Sequence, residues 1–199
     1  MRKAIISRKT KETQIRVKLN IDGSGRAKIN TRIGFLDHML ELFAFWGFFD
    51  LELKLNKGDF QVDIHHVNED VGLVLGQAFK QALGDRKGIK RLGDASVPME
   101  EITANVALDL SGRGSFNLSV SKGNYPVSKE GYEFNYAKQF LDTFSKQLGM
   151  NLNIKLENPN PDLHASLEPI FKALGKALDE ATQIDRRRKG IPSTKGVID

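Results

Sequence analysis

The chain has 199 residues, with 30 Lys+Arg against 25 Asp+Glu, four His, no Cys and a formal charge of +5. That length can bury a real core in one medium domain or two small ones. The missing Cys excludes disulfides, thiolate metal sites, Cys nucleophiles and iron–sulfur clusters. No apolar run nears the roughly 20 residues of a membrane helix, and the basic start, Met1-Arg2-Lys3-Ala4-Ile5-Ile6-Ser7-Arg8-Lys9, lacks a signal-peptide core. A soluble cytoplasmic protein is expected, with no membrane partner. The excess charge is mild and its one dense run, Arg186-Arg187-Arg188-Lys189, reads as a solvated turn after a helix, so no nucleic acid is expected either.

In chain order, residues 14–21 alternate apolar and polar as a half-buried strand does. A 3.6-residue period over about 35–45 predicts a helix, followed by a strand at 51–55 and a second helix over 66–83. The same series then recurs: a strand over 104–110, a helix over 136–148, a strand at 152–156 and a helix over 163–182. The tail at 190–196 has no period and reads as a loop or extended strand. Sliding the chain by 99 residues carries His65 onto His164, Glu69 onto Glu168, Leu75 onto Leu174 and Gly76 onto Gly175. Upstream, a slide of 101 carries Leu40 onto Leu141, Phe43 onto Phe144, Leu51 onto Leu152 and Leu55 onto Leu156. One small loop insertion or deletion reconciles the two offsets. The expectation is an α+β protein of two pseudo-repeated halves, 1–90 and 91–199, each a mostly antiparallel sheet with two helices on one face.

Positions four apart share a helix face, so His65 with Glu69, and His164 with Glu168, can each grip one ion. His66 lies about 100° further round and points elsewhere. Imidazole with carboxylate suits Mn, Fe, Zn, Co or Ni. The plainer reading is a polar helix start in which Glu69 favours the dipole; the recurrence of the pair, at two helix starts that hold three of only four histidines, argues for metal. The fourth, His38, is flanked by Asp37 and Glu41, either of which could orient its ring. Ser193, Thr194 and Lys195, between Pro192 and Gly196, offer two hydroxyls and an ammonium to an anion. Arg113, just past a strand, can reach a ligand too.

These segments resemble the imidazoleglycerol-phosphate dehydratase family: residues 9–13, 34–40, 63–72, 98–101, 109–113, 168–173 and 192–196, in order over essentially the whole chain. The Phe35-Leu36-Asp37-His38-Met39 segment, the His65-His66-x-x-Glu69 helix and the Pro192-Ser193-x-Lys195-Gly196 tail are the most specific. The resemblance implies duplicated four-stranded half-domains of the ribosomal protein S5 domain 2-like class. It implies loss of water from imidazole glycerol phosphate to give imidazole acetol phosphate, a step of histidine biosynthesis, with two Mn²⁺ per site. It implies a homo-oligomer of about two dozen chains with sites between subunits. By matching motif positions, His38, His65, His66, Glu69, His164 and Glu168 would ligate metal, and Arg91, Arg113, Ser193 and Lys195 would hold the phosphate. Glu12 would transfer a proton, with Glu168 and Lys172 close to the reacting carbons.

Departures cluster at the metal positions. Ala165 stands where the family carries a second His, and Asn153 where the resemblance places a metal-binding His. Leu42, Trp46 and Ile64 replace polar residues, which leaves a diverged paralogue, inactive or acting on another small phosphorylated compound, as the alternative. One partition pairs His65 and Glu69 with His38, and His164 and Glu168 with His66.

Overall fold

Alternating burial builds the strands, and the structure, a computed structural model, describes residues 2–121, 128–129 and 131–198. In the first half, β1 (Lys3–Lys9), β2 (Gln14–Asn20), β3 (Ala27–Asn30) and β4 (Asp50–Lys57) form one sheet in the order β1-β2-β4-β3. The pairs β1–β2 and β2–β4 are antiparallel; β3 runs parallel to β4 because α1 (Gly34–Trp46) intervenes as a crossover. Next comes α2 (His65–Leu83). The second half repeats the plan with β5 (Leu92–Met99), β6 (Ile102–Asp109), β7 (Ser115–Val120), α3 (Phe134–Leu148), β10 (Asn151–Glu157) and α4 (Leu163–Thr182). Its sheet order is β5-β6-β10-β7, again with only the last pair parallel. A short hairpin, β8 (Ser128–Lys129) with β9 (Tyr132–Glu133), precedes α3. The structure is thus α+β in two pseudo-repeated halves, and each expected helix lies within two residues of its place. The tail is loop.

Each sheet turns its apolar residues, such as Val17 and Leu53 or Val106 and Ile154, toward helices and its polar residues toward solvent. The helices pair across the halves, α1 with α4 and α2 with α3. Phe43 of α1 and its duplicate Phe144 of α3 meet edge to face, ring centroids 6.0 Å apart, both fully buried. Burying such a ring contributes about 1.5–3 kcal/mol, and an aromatic edge contact about 0.5–1.5 kcal/mol more.

Two glycines set the helix spacing. A Cβ on Gly175 of α4 would lie 2.5 Å from the Phe43 carbonyl, and one on Gly76 of α2 would lie 2.8 Å from the Phe144 carbonyl. Duplicate glycines therefore face duplicate carbonyls, each in the other half. Reciprocal contact of this kind is the mark of an approximate two-fold axis between the halves. It brings the N-terminal ends of the helices, where the histidines sit, into two equivalent places.

Candidate active site

The first place lies between α1 and α4. Asp162 caps α4 by accepting from the His164 backbone N–H at 2.8 Å, which fixes His164 in the first turn. His164 Nε2 lies 2.7 Å from Glu168 Oε2, one turn on, and His38 Nε2 approaches the same oxygen at 3.7 Å. Two imidazole nitrogens and one carboxylate oxygen thus share a focus, all within 4.8 Å of one another. Phe35 meets His164 edge-on and holds the ring in place. Lys172 pairs with the other oxygen of Glu168 and lies 5.9 Å from the Trp46 ring centroid. Burial pushes the Glu168 carboxyl up, but the Lys172 ammonium and His164 outweigh it, so its pKa is lowered.

The second place lies between α2 and α3. His65 Nε2 is 3.4 Å from Glu69 Oε2, and His65 Nδ1 is 2.8 Å from Gln139 Oε1. Polar anchors hold these helices together. Fully buried Asn68 donates to the Tyr136 carbonyl at 2.7 Å and accepts from the Tyr132 hydroxyl at 2.8 Å. The Tyr136 hydroxyl donates to Asp63 at 2.8 Å, which pushes its pKa up to about 12.

His66 belongs to neither place. Its Nδ1 lies 2.9 Å from Asp59 Oδ2, whose carboxylate raises the imidazole pKa, and Glu12 completes a group with atoms within 4.8 Å. Glu12 is exposed, but its neighbour Thr13 is fully buried and donates to Asp70 of α2, which also accepts from Arg8 at 2.5 Å. That anchor fixes the Glu12 turn against the start of α2.

The phosphate candidates converge at the far end of the helices. Arg91, Ser111, Arg113, Ser193, Thr194 and Lys195 line one cavity of about 160 Å³. Arg91 itself is a staple: Nε and one terminal nitrogen grip Asp109 at 2.6 and 2.9 Å, and the other donates to the Pro192 carbonyl at 2.9 Å. Asp109 raises its pKa. Ser111 was not singled out from sequence; its place beside Arg113 after a strand was the available signal.

Three sequence expectations need correction. His38 joins His164 and Glu168, not His65 and Glu69, because α1 packs on α4. Asn153 points to the outer face of its sheet, beside Asn105 and Asn117, away from every histidine. Asp37 does not orient His38: its carboxylate accepts from Thr31, backbone N–H at 2.8 Å and hydroxyl at 2.6 Å, and so fixes the entry to α1.

The profile of the imidazoleglycerol-phosphate dehydratase family matches residues 31–178. A protein of that name from Geobacillus kaustophilus is 47% identical over 198 residues, 99% of each chain. One from Geobacter sulfurreducens is 46% identical over 197 residues, 99% of each chain. Among solved structures, the imidazoleglycerol-phosphate dehydratase of Staphylococcus aureus superposes with a TM-score of 0.79 at 30% identity, covering 92% of this chain and 99% of that one. The Pyrococcus furiosus protein superposes equally well, at 32% identity over 96% of this chain and 99% of its own. Likeness of this extent favours the dehydratase reading over an inactive paralogue. The chain belongs to the imidazoleglycerol-phosphate dehydratase family.

Proposed function

We propose that this chain removes water from imidazole glycerol phosphate to give imidazole acetol phosphate, in histidine biosynthesis, with Mn²⁺ as its metal. The observation that carries this reading is the shared focus of His38, His164 and Glu168, two borderline nitrogens and one hard oxygen, a donor set suited to such an ion. When bound, a divalent cation supplies the Lewis acidity that a carbon acid lacking an adjacent carbonyl needs. Lys172, held on Glu168 beside Trp46, places an ammonium next to that focus, where it offsets negative charge and can give a proton to the departing hydroxide. Glu12 is the candidate to take the proton from carbon, with His66 and Asp59 holding its surroundings.

Arg113, Ser193 and Lys195 would bind the phosphate, and Arg91 serves it twice, ordering the tail through Pro192 and keeping N–H donors free. This cradle adjoins the far end of α4, where the Arg91 backbone N–H donates to the Ala181 carbonyl at 2.8 Å. From His164 to Ala181 the helix climbs about 25 Å, too far for one small phosphorylated imidazole to span. The metal focus of one chain and the cradle of another must therefore meet at a subunit boundary, which supports a homo-oligomer; about two dozen chains is the size the family resemblance implies. We take the halves as 1–90 and 91–199. We place the enzyme in the cytoplasm; no helix among the described residues is long and apolar enough to cross a membrane.

The direct test is turnover of imidazole glycerol phosphate by purified protein. We expect activity that chelation abolishes and Mn²⁺ restores. Full activity after exhaustive chelation, or none with Mn²⁺ present, overturns the proposal.

A further inference from the structure

The two places between helices are duplicates by construction, yet their chemistry has diverged. The slide of 101 that carries Phe43 onto Phe144 carries His38 onto Gln139, and the slide of 99 carries His164 and Glu168 back onto His65 and Glu69. Space agrees with sequence: His38 stands against the first pair and Gln139 against the second. An imidazole of one half thus has an amide as its counterpart in the other.

Gln139 does not stand in as a third ligand. Its Oε1 lies 2.8 Å from Nδ1 of His65, so with the oxygen accepting, Nδ1 carries the proton and the amide is spent on orienting the ring. What remains for an ion is His65 Nε2 and Glu69 Oε2, two donors against three. Among the described residues, no third His, Asp or Glu has a ligand atom within 4.8 Å of both. Glu69 is also half exposed, whereas the Glu168 side chain is only 14% exposed and paired with Lys172. The duplicate of Lys172 is Leu73, so no ammonium holds Glu69 from that position. The remaining imidazole, His66, has Ala165 as its duplicate; whatever site His66 completes, its counterpart cannot be completed in the same way.

We infer that the two metal places are unequal: the His38–His164–Glu168 focus binds one divalent ion per chain tightly, and the His65–Glu69 pair, with Gln139 where a ligand would stand, does not. This deepens the function proposed above and rests on it for the kind of ion. It also assigns Gln139, a residue outside the segments singled out in the sequence, as the position that sets the stoichiometry.

The test is a count. Metal-free protein in its native assembly is dialysed against graded Mn²⁺ and the bound ion measured per chain by elemental analysis. Native protein should saturate at one tight ion, with a second taken up at least about tenfold more weakly, since even losing the orienting partner of a ligand costs about 10–100-fold in affinity. The reciprocal variants decide which place is occupied. His38→Gln should loosen the tight ion; Gln139→His should tighten the second one by tenfold or more; His65→Ala should leave the tight ion in place. Because Gln139→His gains a property, a misfolded variant cannot imitate its success. Two native ions of equal affinity, a tight ion lost in His65→Ala but kept in His38→Gln, or no gain in Gln139→His would each overturn the inference. Two equal ions alongside Mn²⁺-dependent turnover would leave the proposed function standing. No ion at all would remove both.

Discussion

The α1–α4 and α2–α3 contacts descend from one plan, and their backbones still match closely enough for Gly175 and Gly76 to face equivalent carbonyls. Their histidine ends differ. Between α1 and α4, two imidazoles and a partly buried carboxylate converge beside an ammonium; between α2 and α3, one imidazole and an exposed carboxylate meet an amide. Packing is alike in both halves because the core of each depends on the other's helices, whereas the polar ends of those helices carry no such constraint.

Glu168→Gln should show the largest effect, because it removes the carboxylate charge on which His38 and His164 focus and with which Lys172 pairs. We expect kcat to fall about 10²–10⁴-fold, the range for losing a positioned acid–base or charge partner. Its duplicate change, Glu69→Gln, should cost less than about tenfold. Steady-state kinetics on both variants checks the contrast, and equal losses would break it.

Helix closure comes next. Gly175→Ala and Gly76→Ala each force a Cβ against a backbone carbonyl, at 2.5 and 2.8 Å, for about 1–3 kcal/mol of overpacking. In thermal unfolding that is roughly 2–4 °C per kcal/mol for a chain of this size. Both should lower Tm, but only Gly175→Ala should also loosen the tight ion, because α4 carries two of its ligands.

The cradle should separate from the metal. Lys195→Ala removes a charge-assisted contact of about 1.5–3 kcal/mol, so KM should rise by about tenfold or more while the bound ion count stays fixed. Asn153→His is the smallest change: on the outer sheet face it should add no ion and alter stability by no more than about 0.5 kcal/mol. An added ion there would contradict the placement of the second site at Gln139.

Most of the fold was legible because hydrophobic period is a local signal. Residues 14–21 and 152–156 alternate, and α4 keeps its period through Pro169. The cavity at the far end was half legible, since Ser193, Thr194 and Lys195 lie on one loop, while Ser111 needed the sheet to bring it there. The partition of the histidines was not legible. Spacing shows which residues share a helix but not which helix lies opposite, and here each helix chose its neighbour from the other half. Gln139 illustrates the limit from the other side. The repeat already matched it to His38, but an amide on an amphipathic helix draws no notice until His65 is seen against it.

The length of α4 has a further consequence. On the subunit junction proposed above, with Glu168 at one end and the Lys195 cavity beyond the other, each chain would give half of its chemistry to one neighbour and half to a second. A Glu168→Gln chain and a Lys195→Ala chain, each impaired alone, should then rescue one another when refolded together, since mixed assemblies would regain some junctions where both undamaged halves meet. The unit on which selection acts would then be the junction, and a defective allele could be masked by a differently defective one.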